Sequence, residues 1–291
     1  MITIGIPYYS GLAYLRRTLD SVLAQSCDRW QAIVADDRGP EDAAELVARY
    51  GPKIRYVRNE HNLGMVGNWN HCLDLAETDL VMLLHADDEL LPGYVAQMIA
   101  AADRFPQACA LYCQARIIGP DSRPVFSLPD FVKRFLEPSG SSDAILCGEP
   151  AVQALARGNF IMCPSLCYRR SRIGVRRFSD RWRFVQDLEF TTRLLREGET
   201  IVGLPHAAYA YRRHPQNATS EFTQNLVRFE EERAFLNELA DAAKERGWTR
   251  AAKAARRKTV VKMHLLYRLL EDVVLLRPAA AVAKARLLAT M

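Results

Sequence analysis

The chain reads as an α/β protein whose core is a parallel sheet covered by helices on both faces. Two observations predict it. Short apolar runs alternate with segments of helical spacing through the first hundred residues. Those runs are apolar almost throughout rather than alternately polar, as strands buried on both faces require.

The elements follow in order. Ile2 to Ile6 is a strand ending at Pro7, and Leu12, Leu15, Leu19, Val22 and Leu23 recur at helical spacing. Ala32 to Ala35 is a second strand, closed by Asp36-Asp37. Glu41–Tyr50 is a modest helix and Ile54–Val57 a short strand. Asn68–Glu77 is helical in pattern, and Leu80–Leu84 is a fully apolar strand. Pro92 opens a helix to about Phe105, at a position where its missing N–H costs nothing. Ala108–Ile118 is the fifth strand. Gly119–Gly148 holds four prolines and the run Ser139-Gly140-Ser141-Ser142, so a long loop is expected, with a short helix at Phe131–Leu136. A helix at Pro150–Arg157, a strand near Met162–Tyr168, a helix at Asp187–Glu197 and a strand near Ala207–Tyr211 follow. From Glu221 the chain is almost wholly helical.

Composition narrows the classes. With 291 residues, 49% hydrophobic and 25% charged, the chain is ordinary globular protein, neither collagen-like nor mostly disordered. No apolar run approaches the roughly 18 residues of a spanning helix, and no basic leader precedes Ile2-Thr3-Ile4. Seven cysteines do not form an obvious disulfide framework, so a reducing, cytoplasmic setting is expected. Cys109, Cys113, Cys163 and Cys167 lie in apolar stretches and read as buried thiols, not zinc ligands. The net charge of +5 is uneven: from Arg246 onward eleven basic residues face two acids, so the main body is slightly acidic.

The informative feature is where acids fall relative to strands. Asp36-Asp37 follows the second strand directly, and Asp87-Asp88 follows Leu80–Leu84 across His85-Ala86. In open parallel sheets ligands bind outside the carboxyl ends of the strands, so both pairs should face one crevice. Clustered carboxylates need a cation or a donor-rich ligand to offset their repulsion. A divalent metal holding a diphosphate meets that need. The alternative is that each pair caps the next helix or starts a turn.

The segments Ile4-Gly5-Ile6-Pro7-Tyr8-Tyr9, Val34-Ala35-Asp36-Asp37, Asn62-Leu63-Gly64, His85-Ala86-Asp87-Asp88-Glu89, Gln186-Asp187-Leu188-Glu189-Phe190 and Tyr211-Arg212-Arg213-His214 together resemble the family 2 glycosyltransferases. The resemblance covers roughly residues 1–220. It implies a GT-A-like fold: a Rossmann-like, mostly parallel sheet with helices on both faces, here with a helical extension over 221–291. Residues 1–118 would form the nucleotide-sugar half and 119–220 the acceptor half. It implies an inverting transfer from a nucleoside diphosphate sugar, with uridine the favoured base, to a hydroxyl of a glycan or lipid-linked acceptor in bacterial glycan synthesis.

Carried over position by position, Pro7, Tyr8, Tyr9, Asp37, Asn62, Gly64, Asn70 and Asp87 would bind the nucleotide. Asp88 and His214 would hold a divalent metal, Mn²⁺ or Mg²⁺, and Asp187 would be the general base. His85 stands where the fuller metal motif has an acid, Trp69-Asn70 where many members carry Arg-Asn, and Gln186 where a glutamate often precedes the base. Asp187 also suits a helix N-cap, a role compatible with that of a base.

Two other readings compete: a different metal-dependent nucleotide-sugar enzyme such as a nucleotidyltransferase, and a non-catalytic nucleotide-sugar-binding module. Tyr8-Tyr9-Ser10-Gly11 is not the glycine-rich basic loop the first would show. In the tail, Arg256-Arg257-Lys258 precedes an amphipathic run from Val260 to Val274. That run suits packing on the body or on a second copy, or attachment to the anionic inner face of a membrane. Nucleic-acid binding is not expected, because aromatics do not interleave with the basic residues.

Overall fold

The computed structural model describes residues 1–137, 142–215 and 217–291. The strands are β1 (Ile2–Tyr8), β2 (Trp30–Asp36), β3 (Ile54–Arg58), β4 (Leu80–Leu83), β5 (Glu89–Leu90), β6 (Ala108–Ile118), β7 (Ala144–Leu146), β8 (Cys167–Arg169) and β9 (Thr200–Arg212). The helices of the main body are α1 (Leu12–Leu23), α2 (Ala44–Ala48), α3 (Gly64–Leu75), α4 (Tyr94–Arg104), α5 (Leu128–Leu136), α6 (Gly148–Arg157), α7 (Arg170–Ile173) and α8 (Gln186–Arg196). Then come α9 (Ala218–Gln224), α10 (Val227–Glu245), α11 (Thr249–Arg257), α12 (Thr259–Val274) and α13 (Pro278–Ala289).

One sheet runs in the order β3-β2-β1-β4-β8-β6-β9-β5, with β7 pairing β9. The β3-β2-β1-β4 half is parallel, as the apolar runs predict, with Tyr8 level with Asp36. Beyond β4 the sheet is mixed. Short β8 runs antiparallel between β4 and β6, and β5 and β7 run antiparallel to β9, while β6 and β9 are parallel to each other. The strand expected near Met162 begins only at Cys167, because Pro164 lacks a ladder donor and sits in a 3₁₀ turn over Cys163–Ser165. The last strand is longer than expected and passes Pro205 and His206 with register shifts against β6. The proline-rich loop contains α5 and β7, while Ser139, Gly140 and Ser141 of its serine-glycine run lie outside the described residues.

Two apolar layers flank the sheet. Ile2, Ile4 and Ile6 pack with Leu15 and Leu19 of α1 and with Val95 and Met98 of α4. On the other face Trp69 and Cys72 of α3 join Leu155 of α6, Phe190 of α8, Leu239 of α10 and Leu265 of α12. Gly5 sets that face: a Cβ there would stand 2.9 Å from the Cys72 Cβ, so α3 lies directly on β1. The helices after residue 221 thus share a core with α6 and α8.

Candidate active site

At the carboxyl ends of β1 and β2 the two acids of the first pair separate. Asp36 is buried and takes the Tyr56 hydroxyl and, at 2.9 Å, the Arg38 N–H. Asp37 is 3% exposed and takes Asn59 Nδ2 at 2.9 Å and the Leu63 N–H at 2.7 Å, both on Oδ1. Its backbone N–H donates to the Tyr8 carbonyl at 2.8 Å, and its carbonyl accepts from Asn62 Nδ2 at 2.8 Å. Asn62 Oδ1 in turn receives the Gly64 N–H at 3.0 Å, and Gly64 has φ 73°, the left-handed conformation glycine adopts freely. Asn62 and Gly64 therefore shape the loop that delivers a backbone donor to Asp37.

A cavity of about 630 Å³ opens beside this loop and runs under α5 to α12. Of the residues singled out in the sequence, Pro7, Tyr9, Asp87, Asp187 and His214 line it. Tyr8 is fully buried behind it, with its hydroxyl unpartnered and burial pushing its pKa up. Asp37, Asn62 and Gly64 flank it without lining it. Asn70 is turned elsewhere: it exchanges two 2.9 Å hydrogen bonds with the Phe178 backbone and ties α3 to the segment before α8.

The second acid pair also divides. Asp87 faces the cavity, and its Oδ2 lies 2.9 Å from His214 Nε2. Burial pushes the Asp87 carboxyl up, but the His214 bond and nearby His85 outweigh it and hold the group below the usual carboxylate range. Asp88 points into the protein. Its Oδ1 accepts the Arg212 N–H at 2.6 Å and its Oδ2 the Tyr209 hydroxyl at 2.7 Å, both from β9. Burial and the neighbouring Asp87 charge raise its carboxyl well above the ordinary range. Arg212 is fully buried and clamps the turn: Nε donates to the Asp87 carbonyl at 2.6 Å, Nη1 to the Gly119 carbonyl at 2.8 Å, and Nη2 pairs with Glu89.

His85, which stands where the fuller metal motif has an acid, belongs to this cluster. It stacks on Trp69 at 5.2 Å, and burial favours its neutral form. One ligand atom each from His85, Asp87 and Asp88 lies within 4.8 Å of the others. His85 Nε2 and His214 Nδ1 are buried without partners. Carboxylates beside imidazole nitrogens without other partners fit a divalent ion of the Mn²⁺ type.

Asp187 sits in the first turn of α8, one residue past the start, while Val185 holds the N-cap position. Its Oδ1 accepts the Leu188 N–H at 2.8 Å and its Oδ2 accepts Asn159 Nδ2 at 3.0 Å. Burial raises its carboxyl, and these donors and the Lys133 charge reverse only part of the effect. The result is a cavity-facing carboxylate, oriented on both oxygens and more basic than usual, which is the character of a proton acceptor. Sequence reading missed Asn159, which belongs to no motif, and Lys133, whose Nζ lies 3.6 Å from Met162 Sδ on the cavity wall.

Comparison with known proteins extends these observations. Residues 3–134 match the model of the family described as glycosyl transferase family 2. The amylovoran biosynthesis glycosyltransferase AmsB of Erwinia amylovora is 28% identical over 201 residues, 66% of this chain and 62% of that protein. The uncharacterized protein MT1568 of Mycobacterium tuberculosis is 38% identical over 94 residues, 32% of this chain and 30% of that protein. The chain thus spans less than two thirds of the length of these curated relatives. Among solved structures, S. aureus TarS 1-349 in complex with UDP-GlcNAc aligns with a TM-score of 0.63 at 18% identity, over 82% of this chain and 66% of that one. A mannosyltransferase of Pyrobaculum calidifontis in complex with GDP-Man and Mn²⁺ aligns with a TM-score of 0.62 at 13% identity, over 99% of this chain and 85% of that one. These likenesses establish a GT-A-like fold with additional C-terminal helices.

Proposed function

Because residues 3–134 match the model described as glycosyl transferase family 2, we propose that the chain is a glycosyltransferase of that family and transfers a sugar from a nucleoside diphosphate sugar to an acceptor hydroxyl, with inversion, in the assembly of a bacterial polysaccharide. The observation that carries this reading is the raised carboxyl of Asp187, held by Asn159 and the Leu188 N–H on the same cavity as the Asp87–His214 pair, whereas Glu232, also raised and on that cavity, is paired with Arg228.

In this reading the acceptor hydroxyl gives its proton to Asp187 as its oxygen bonds to the anomeric carbon. The bond from that carbon to the diphosphate breaks on the opposite side. Asn159 and the Leu188 N–H hold the carboxylate in line, and burial keeps it basic enough to take the proton. Asp87, with His85 and His214 beside it, would hold Mn²⁺ or Mg²⁺ in place of Asp88, whose two oxygens are taken by the Tyr209 hydroxyl and the Arg212 N–H. Such an ion supplies charge neutralisation for the departing diphosphate. Asp37 would take a base N–H on Oδ2, since both of its described partners sit on Oδ1. UDP is the favoured nucleotide: the TarS structure holds UDP-GlcNAc, while the mannosyltransferase holds GDP-Man. The name of AmsB supports a role in polysaccharide biosynthesis.

The test is turnover with a panel of UDP-, GDP- and dTDP-sugars and Mn²⁺, followed by release of the nucleoside diphosphate. Release with at least one donor, accelerated by an acceptor glycan, is the expected result. Donor binding without transfer or hydrolysis across the whole panel would favour the non-catalytic module.

A further inference from the structure

The helix α12 is only half used by the fold. Val261 and Leu265 are buried against the body, yet Leu266, Leu270, Val273 and Val274 are exposed, and Leu275 and Leu276 continue the apolar surface. At 100° per residue the four helical positions fall on one narrow stripe. Val274 is 79% exposed and Leu276 86%. Across the cavity stands a second such surface: α5 exposes Phe131 and Phe135, packed edge to face at 5.0 Å, with Phe126 beside them. Both helices line the same cavity, and Leu136 and Val260 meet over Gly158. Exposed apolar surface this extensive marks a docking face.

Charge identifies the occupant. The segment from Arg246 onward carries eleven basic residues and two acids. Both acids are engaged within it, Glu271 with Arg268 and Asp272 with Lys284. Lys253, Arg257, Arg277 and Arg286 are exposed. A second copy would bring the same positive segment against itself, and the stripe covers barely two heptads, short of a stable coiled-coil seam. An anionic bilayer meets both properties at once: it takes the apolar side chains into its interface and attracts the lysines and arginines at their flanks.

We propose that the exposed stripe of α12, together with the phenylalanines of α5, seats this protein on the surface of an anionic membrane. The seat is peripheral: no helix among the described residues is long and apolar enough to cross a bilayer. It does not depend on the transfer reaction.

The test is flotation of the full chain with vesicles of equimolar phosphatidylglycerol and phosphatidylcholine, against vesicles of phosphatidylcholine alone. The protein should float with the anionic vesicles at low salt, stay behind with the neutral ones, and be released as ionic strength rises. Leu270→Glu combined with Val274→Glu should weaken binding by at least about tenfold, since each change withdraws buried hydrocarbon from the interface. Neither residue lines the cavity, and an unchanged thermal melt would show that the fold is kept. Lys253→Glu with Arg257→Glu is an independent variant expected to weaken binding in the same direction. No flotation with anionic vesicles, or equal flotation of the wild type and both double variants, would overturn the proposal. So would a wild-type dimer by light scattering that the Leu270/Val274 variant splits, if vesicles bind neither form.

Discussion

His214 Nε2 lies 2.9 Å from Asp87 Oδ2, although 127 residues separate the two in the chain. The adjacent Asp88 turns away from the cavity and spends both oxygens on Tyr209 and the Arg212 backbone. One acid of the pair therefore faces the cavity while the other holds the sheet together, and substitutions should tell them apart. Asp87→Asn should lower Mn²⁺-dependent nucleotide affinity by at least about tenfold, the scale reached even by groups that only support a metal ligand. Its melting temperature without ligand should barely move. Asp88→Ala strands a buried N–H and a buried hydroxyl, each costing about 1–3 kcal/mol, so it should melt markedly lower. Thermal shift with and without Mn²⁺ and UDP measures both effects.

Asp187→Asn keeps an acceptor for Asn159 but cannot take a proton at neutral pH. The value of kcat should fall about 10²–10⁴-fold, and the donor Kd should change little, because donor binding does not draw on the base. Burial raises the Asp187 carboxyl, so the acid limb of the wild-type rate profile should lie above the ordinary carboxylate range. Rate measurements across pH, with donor titrations of both proteins, check this; near-wild-type turnover in the variant would remove Asp187 as the base.

At position 37, amide and alanine should part company. Asp37→Asn retains an Oδ1 acceptor for Asn59 and Leu63 and should fold normally while binding UDP more weakly. Asp37→Ala strands the Leu63 N–H and leaves the Asn59 amide only its bond to Asn68, a loss of about 1–3 kcal/mol, and should lower the unfolding midpoint in urea. Equal loss of stability in the two variants would contradict the bonding seen at Oδ1.

His264 should make stability acid-sensitive. Burial, helped by Arg228, Arg268, Lys133 and Arg213, pushes its pKa down to about 3, and its ring packs on Phe229 at 5.2 Å. The unfolded chain protonates this group near its ordinary value of about 6.5, so the unfolded state binds the extra proton first. The contribution of neutral His264 is present above that value and is lost as pH falls toward about 3, by up to about 1.4 kcal/mol per pH unit. Urea unfolding at neutral pH and at mildly acidic pH should show a larger loss for the wild type than for His264→Gln.

The parallel half of the sheet was legible because each strand there is apolar on both faces and is followed by a helical period. The acid pairs were legible because they sit where those strands stop. The partners of Asp88 were not, since Tyr209 and Arg212 lie 121 and 124 residues away and come into register only through the pairing of β9 with β6 and β5. Asn159 sits in an irregular link after α6, where no periodicity marks a side chain's direction. Asn70 illustrates the reverse limit: its motif position was clear, but its amide is bound by the Phe178 backbone.

The dependence of Asp88 on β9 also sets an order of assembly during synthesis. A nascent chain displays Asp87 and Asp88 long before Tyr209 and Arg212 have been made; at about 5–20 residues per second the interval is roughly 6–25 s. Throughout it the acid pair stays hydrated and mutually repulsive, because the strand that partners Asp88 does not yet exist. When β9 inserts between β6 and β5 it is the last strand of the sheet to arrive. Its arrival desolvates Asp88 and brings His214 to Asp87 in one step, so the ribosome finishes the frame of the sheet well before it finishes the site.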